Sequence, residues 1–371
     1  MNFTKLKIFY ALIFILACNP SEEKKEDIKE LELKISPIEV KIDTLGKYSY
    51  EVFTFKNHES LKFITYNNTT HSIEFYNLKS KKLSKRIFLE ADGPKAIGNV
   101  QGLYYHNQDS IFIYSRGIIN IINESYNKET NPNLFSLIEN YDYKFEPFFN
   151  HHFRLYYIPE IKSIPLSNKY FDPQLKVSPE KEQISLFDIS NFKIKPLPYF
   201  QTEPTGSDFE YGFLNYSTIS QPFNGKFFIN QVYSPITYQF LLNSENLHEV
   251  INANKIHHKK NKNPENWEPH AVESNFYNQL EKLNDSTFVR FVWNGTEYNP
   301  KENGFLKKEL TLQVFDEDFN LIKEFNLAKN TYYLYSWFVA QSKIYLQIDH
   351  PKNLEISESK LLLHEIELVS I

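Results

Sequence analysis

The chain has 371 residues and a formal net charge of -5, with 41 Lys and Arg against 46 Asp and Glu, a balance that argues against a nucleic-acid partner, which needs a clustered basic footprint. Aromatic residues make up 16% (32 Phe, 25 Tyr, 3 Trp) while glycine numbers only 10. That composition suits half-buried pleated strands better than helices and predicts a nearly all-β protein.

The first element is an export signal. Lys5 and Lys7 precede an apolar run from Ile8 to Ala17 that is too short to span a bilayer comfortably. Its end, Ile15-Leu16-Ala17-Cys18, resembles the bacterial lipobox, with Ile15 where leucine is commoner. The resemblance implies cleavage before Cys18 and acylation of that residue, so that membrane lipid is a partner through the acylated cysteine. Cys18 is the only cysteine, so no disulfide competes for it. Residues 1–17 are therefore read as a lipoprotein signal peptide; removing them takes away two lysines and no acid, so -5 becomes -7. Residues 18–30, "NPSEEKKEDIKE" after the cysteine, have almost no apolar content and read as a solvated tether. Their acidic cluster looks like the surface-export signals of Bacteroidota lipoproteins, which implies an outer-membrane lipoprotein, surface-exposed or periplasm-facing.

Residues 31–371 form the third segment, and one pattern recurs in it six times: an aromatic-rich strand, a turn, a second strand, another turn and a third strand. The copies are 61–90, 109–131, 153–200 ("FRLYYIPE", an insertion, then "QISLFDISNFKIKPLPYF"), 225–251, 285–328 and 342–371. Alternation in "SIEFYNL" and "TLQVFDEDFNLIKEF" marks strands with one buried face, and "DEDFN", "NSEN" and "NLKSKK" supply turn chemistry. Six such modules predict a six-bladed β-propeller; a sandwich or two stacked β-domains is the competing layout. The segments "LELKISPIEVKI" and "KYSYEVFTF" precede the first copy and are expected to supply the missing outer strand of the last blade, closing the ring. Insertions at 159–183, 201–224 and 252–283 are expected to be loops, with the Pro-rich "SIPLSNKYFDPQLKVSP" ordered but not a strand and capping one mouth.

The stretch "EADGPKAIGNVQGLYYHNQDSIFIYS" (90–115), behind a lipobox in a chain of this length, resembles the Bacteroidota lipoprotein family of domain of unknown function 4221, grouped with six-bladed propellers. The resemblance implies address and fold, and carries no activity.

Chemistry is mostly excluded by absence. There is no G-x-S-x-G elbow, P-loop or G-x-G-x-x-G, and the only cysteine is claimed by lipid. His248-Glu249 and His364-Glu365 begin zincin-like pairs, but Asn252 and Leu368 stand where the second histidine belongs. A metal site from His257, His258 and His270 is weighed against solvated loop histidines, since adjacent strand residues face opposite ways. Asp316, Glu317 and Asp318 fit a hairpin tip better than a calcium loop. No metal and no cofactor is expected.

Arginine usage is informative, because only four of the 41 basic residues are arginine: Arg86, Arg116, Arg154 and Arg290. The last three lie in or just after the first strong strand of a proposed blade, and aligning Phe112 with Phe288 puts Arg116 and Arg290 on one face of equivalent strands. Arginine grips a carboxylate or phosphate with a rigid fork. One reading has Arg116, Arg154 and Arg290 converge on the central channel to hold an acidic ligand such as an acidic sugar; the other has each bridge neighbouring blades through Asp or Glu. His152, Tyr211 and Trp293 complete the expected ligand set. Trp267, Trp293, Trp337 and Tyr211 stack on sugar rings in one reading and pack between blades in the other. With His151, Tyr211 and Arg154 also fit for a lyase base and charge neutraliser. The expectation is a lipid-anchored envelope propeller, monomeric, that binds an acidic or glycan ligand or a protein partner. The alternative is a glycan-active lyase or hydrolase with its site in the channel.

Overall fold

The computed structural model describes residues 30–42, 53–57, 61–138, 145–148, 154–170, 184–197, 217–232, 234–243, 246–251, 267–333, 336–357 and 359–371. Its strands assemble into six antiparallel sheets. Blade 1 contains β2 (Phe53–Asn57), β3 (Leu61–Asn67), β4 (Ser72–Asn77) and β5 (Lys82–Phe88). Blade 2 contains β6 (Gly102–Asn107), β7 (Ser110–Ser115), β8 (Ile118–Ile122) and β9 (Lys128–Asn133), and is followed by the short helix α1 (Leu134–Ile138). Blade 3 has β10 (Phe145–Phe148), β11 (Ser163–Tyr170), β12 (Ile184–Asp188) and β13 (Lys193–Pro196); blade 4 has β14 (Ser217–Ile219), β15 (Lys226–Gln231), β16 (Thr237–Leu241) and β17 (Asn246–Ile251). In blade 5, two short strands, β18 (Phe276–Tyr277) and β19 (Glu281–Lys282), both pair with β20 (Phe288–Trp293), ahead of β21 (Leu310–Phe315) and β22 (Leu321–Asn326). Helix α2 (Trp267–Glu273) precedes it.

Blade 6 is assembled from both ends of the chain: β23 (Trp337–Ala340), β24 (Lys343–Gln347), β25 (Lys360–Ser370) and, outermost, β1 (Leu31–Lys41). "LELKISPIEVKI" thus supplies the outer strand as expected. "KYSYEVFTF" does not: its end, Phe53–Phe55, begins β2, the first strand of blade 1. Each blade has a fourth strand, ahead of the three in the sequence pattern. A further correction falls in blade 3. "FRLYYIPE" makes no regular strand, while "SIPLSNKY", expected to be a capping insertion, is β11. Ile164 and Leu166 are fully buried there, and Pro165 sits opposite Leu186 with the ladder intact on either side. Period-two burial therefore outweighs the missing proline N–H.

Burial explains the ring. The middle strands are apolar on both faces, as in β7 and β20, while outer strands such as β5 and β22 alternate with exposed residues. The cores lie between blades. Ile64, Ile73 and Phe75 of blade 1 pack with Leu103, Ile111 and Ile113 of blade 2. A larger cluster runs from Phe112 through Ile164, Leu166 and Phe187 to Phe227 and Phe240, joining blades 2, 3 and 4. Phe228 meets Phe288 and Phe315 between blades 4 and 5, and Phe291 meets Trp337 edge to face at 4.8 Å between blades 5 and 6. Closure is aromatic: Phe338 of blade 6 stacks on Phe55 of blade 1 at 4.6 Å, within a cluster that includes Val40, Phe53, Phe63 and Leu361. Each fully buried ring contributes roughly 1.5–3 kcal/mol, so joining the chain ends rests on apolar area more than on the β1 ladder.

The chain divides into a body, Leu33–Glu367, and a terminal unit made of Met1–Glu32 and Leu368–Ile371. Among the described residues no helix is long and apolar enough to cross a membrane.

Candidate functional site at the propeller axis

The three arginines singled out by sequence share no partner. Arg116 is exposed and lies one residue past the end of β7, in a two-residue hairpin turn with Gly117, both at positive φ (48° and 82°). Primed turns of this kind match the twist of the flanking strands. Its side chain lies over Gly98, where a β-carbon would come within 3.3 Å of Nε, and its backbone N–H donates to Gln101 Oε1 at 3.1 Å. The expected common face with Arg290 therefore does not exist.

Arg290, in the middle of β20, is 2% exposed. Its Nε and Nη2 both donate to Gln313 Oε1 (3.0 and 2.7 Å), and Nη1 donates to Pro235 O (2.7 Å) and Thr237 Oγ1 (3.2 Å). Tyr277 and Phe315 rings cover the guanidinium at 4.9 and 5.3 Å. It bridges blades 4 and 5, but through an amide, a carbonyl and a hydroxyl, not the acid that the sequence reading supposed. Its charge reaches a carboxylate indirectly, since Gln313 Nε2 donates to Glu324 Oε1 at 2.7 Å. Burial pushes its pKa down to about 10.

Arg154 is different. It lies on the extended stretch 154–158, which joins β11 through the bridge Ile158–Ser163. Its Nη2 donates to the backbone oxygen of Trp337 at the start of β23, and its guanidinium carbon sits 4.9 Å from the Phe53 ring centre and 5.6 Å from that of Trp337. Two residues on, and so on the same side of an extended chain, Tyr156 directs its hydroxyl to Glu281 Oε1 of β19 at 3.5 Å. The backbone N–H of Gln221, just past β14, reaches both Glu281 oxygens at 3.4 and 3.3 Å. Tyr104 of β6 meets the Tyr156 ring edge to face at 6.0 Å. First strands, or the chain continuing them, from all six blades thus converge on one cluster: Phe53, Tyr104, Arg154 with Tyr156, Gln221, Glu281 and Trp337.

The electrostatics set this cluster apart. Glu281 is 5% exposed, and burial raises its pKa to about 7, opposed by Arg154 and by the surrounding donors, the Gln221 N–H, Gln279 and Tyr156. All its hydrogen bonds to Tyr156 and Gln221 are long. Blade 1 shows what a fully paired buried glutamate looks like. Glu74, 0% exposed, accepts from Arg86 Nη2 at 2.6 Å, Tyr76 at 2.5 Å and Asn67 at 2.9 Å. At the axis pairing is incomplete. A Gln279 hydrogen bond eases the Glu281 carboxyl downward, yet among the described residues neither Gln279 amide atom has a partner of good geometry, and Trp337 Nε1 and Thr218 Oγ1 are also buried without one there. Arg154 remains partly exposed, and among the described residues its guanidinium is hydrogen-bonded to the backbone oxygen of Trp337 and to Tyr156. Burial pushes Tyr156 far up, with Glu281 adding to the effect, and pushes Tyr104 up to about 12. Buried polar groups left loosely paired around a cation are the exception in a folded interior.

Other expected positions divide into placed and outside. Trp293 is 2% exposed, stacked on Phe305 of its own blade at 5.9 Å and edge-on to Tyr333, on the connection to blade 6, at 5.0 Å. Beside it the buried Lys308 lies 5.2 Å from the ring and donates to Ser274 O at 2.6 Å; burial pushes its pKa down to about 7. Asp316 Oδ1 accepts from the N–H groups of Asp318 and Asn320, as a hairpin tip requires. His364 pairs with the Tyr332 hydroxyl at 2.6 Å. Among the described residues no group of three or more His, Cys, Asp or Glu is placed to hold a metal ion. Cys18, His151, His152, Tyr211, His257 and His258 lie outside the described residues, as do the side chains of Trp267 and His270. A more open cleft of about 470 Å³ lies between blades 2 and 3, lined by His106, Asp109 and Tyr157 among others. Several of its polar groups, Asn107 and Asn123 among them, are spent on capping their own turns.

Sequence reasoning missed Glu281, Gln279 and Tyr156. Glu281 and Gln279 lie in a segment read as an insertion, and nothing in "FYNQLEKLNDS" separates one acid from the chain's 46. Tyr156 carried a usable signal, its i+2 spacing from a rare arginine.

Residues 34–326 match the family described as Domain of unknown function (DUF4221). No curated protein matches the chain in sequence. The fold is similar to that of a DUF4221 family member from Bacteroides vulgatus, with TM-score 0.76 and 17% identity over 92% of this chain and 99% of that one. It is also similar to a protein described as exported from Bacteroides fragilis, with TM-score 0.57 and 11% identity over 91% of this chain and 96% of that one. At these identities the likeness shows the fold alone.

Proposed function

The chain belongs to the DUF4221 family, and we propose that it is a lipid-anchored binding module of the cell envelope that holds a carboxylate-bearing ligand, such as an acidic sugar, at the propeller axis through Arg154. The observation that carries the reading is the state of Arg154: a partly exposed guanidinium, bonded among the described residues to Trp337 O and Tyr156, beside buried polar groups that are loosely paired or unpaired there. A guanidinium fork is the side chain best suited to a carboxylate, and a buried tyrosine, amide and indole N–H around it favour a ligand rich in hydroxyl groups. This reading leaves Arg290 and Trp293 out of the ligand set on account of their burial and committed contacts, and Arg116 on account of its place on a hairpin turn. The lipobox around Cys18 supports the anchor, and the exported Bacteroides fragilis protein of the same fold supports an envelope address.

Titration of the protein with galacturonate and with sialic acid, followed by calorimetry, tests the site. Binding that is lost in Arg154→Ala and retained in Arg290→Met supports it; equal binding by wild type and Arg154→Ala overturns it. Cys18→Ser should move the protein from the membrane to the soluble fraction, and an unchanged distribution rejects the anchor. One observation favours a lyase as the second reading: a carboxyl near neutral pKa beside a neutral tyrosine can exchange protons at working pH, while Arg154 neutralises the uronate. Release of unsaturated uronate from polygalacturonate would establish it.

A further inference from the structure

The axial cluster presents one permanent cation to two claimants. Among the described residues, Arg154 acts on Glu281 from the blade 3 stretch and is the only positive side chain that does so. A carboxylate seated on Arg154 would bring a second negative charge beside a buried, loosely paired acid. Like charges in such a site cannot both stay ionised. We infer that an acidic ligand binding at Arg154 drives Glu281 to take up a proton, so that binding is proton-linked. This rests on the ligand reading above.

Among the described residues, the groups facing Glu281 offer no other titrating partner over the relevant range. On the blade 3 stretch they are Arg154, a permanent cation, and Tyr156, held neutral by burial. Behind Tyr156, Tyr104 of β6 is also neutral, pushed up to about 12. From blade 4 comes the backbone N–H of Gln221, and from the blade 5 chain Gln279, neither titratable. Glu281 is therefore the group that can absorb the added charge. It has the geometry to do so usefully, because its bonds to Tyr156 and to the Gln221 N–H are long and a protonated carboxyl needs them less. The proton comes from solvent and no other bond changes.

The experiment is galacturonate binding to the whole native protein by calorimetry, in two buffers of different ionisation enthalpy, between about pH 6 and about pH 8.5. The expected result is uptake of up to one proton at the alkaline end, vanishing near the acid end, where free Glu281 already carries it. Affinity should fall by up to about tenfold per pH unit above pH 7. Glu281→Gln mimics the protonated acid and should bind at all pH values as wild type binds at low pH, with no buffer dependence. Binding with no proton uptake, or pH dependence that persists in Glu281→Gln, overturns the inference and leaves the ligand site standing. Absence of galacturonate and sialate binding at every pH overturns the ligand reading and this inference with it.

Discussion

Replacing Arg290 by alanine separates a structural arginine from a ligand-gripping one, and its cost can be worked from the contacts. The substitution leaves Pro235 O and Gln313 Oε1 without their donor, while Thr237 Oγ1 keeps the Asn230 amide at 2.5 Å. Each orphaned acceptor costs roughly 1–3 kcal/mol. The emptied slot between Tyr277 and Phe315 costs a further 2–4 kcal/mol or so. Against this, the fold no longer buries a cation whose pKa has been pushed down to about 10, a relief of about 3 kcal/mol. The net expectation is a loss of about 3 kcal/mol, read as a lower urea midpoint with an unchanged slope. Arg290→Met, which fills the slot, should recover about half of it. Arg154→Ala, which gives up the hydrogen bonds of a partly exposed side chain, should cost no more than about 1.5 kcal/mol. If Arg290→Ala unfolds within 0.5 kcal/mol or so of wild type and Arg154→Ala does not, the assignment of roles is reversed and the reasoning fails.

Three further outcomes follow from the buried charges and the ring closure. Glu281 has its pKa raised to about 7 from 4.5, so the folded state holds a proton the unfolded chain would release; this favours folding below about pH 4.5 and the benefit is lost as pH rises to about 7. Measured against Glu281→Gln, wild-type stability should therefore fall by about 3 kcal/mol across that window and stay level above it. Lys308 has its pKa pushed down from 10.5 to about 7, so below about pH 7 the fold carries the full cost of a buried cation or of discharging it. Relative to Lys308→Met, wild type should gain up to about 5 kcal/mol between pH 7 and 10.5 in denaturant titrations, and parallel curves would refute the burial argument. Val40 of β1 is fully buried in the cluster that joins the first and last blades. Val40→Ala should lower stability by about 2 kcal/mol in a single cooperative transition, whereas loss of one blade alone in a biphasic curve would show that closure is not coupled to the ring.

Much of the architecture was legible in the chain because it is local. Alternation such as that of "SIEFYNL" and turn residues such as those of "DEDFN" act within a few positions, so three strands per blade, the hairpin tip at Asp316 and the strand that completes blade 6 could be read directly. What failed was the first strand of each blade. These strands are short, interrupted in blade 5 and irregular at 154–158 in blade 3, and their residues answer to neighbours from other blades instead of to a period. Pro165 misled for a related reason: a local preference against strand was overruled by the burial of Ile164 and Leu166 on either side of it.

The candidate site divides along the same line. Composition alone marked arginine as scarce and each arginine as worth explaining, since lysine already supplies the surface charge. Whether a guanidinium is sealed between two rings, as Arg290 is, laid over a glycine on a turn, as Arg116 is, or left partly exposed at the axis, as Arg154 is, depends on which blades face it. Those blades are separated by tens to hundreds of residues, and burial and pairing are properties of their packing. Glu281 is the clearest case: as a residue type it is one acid among many, and only its burial at the axis, against the opposing pull of Arg154, Gln221, Gln279 and Tyr156, moves its pKa to about 7.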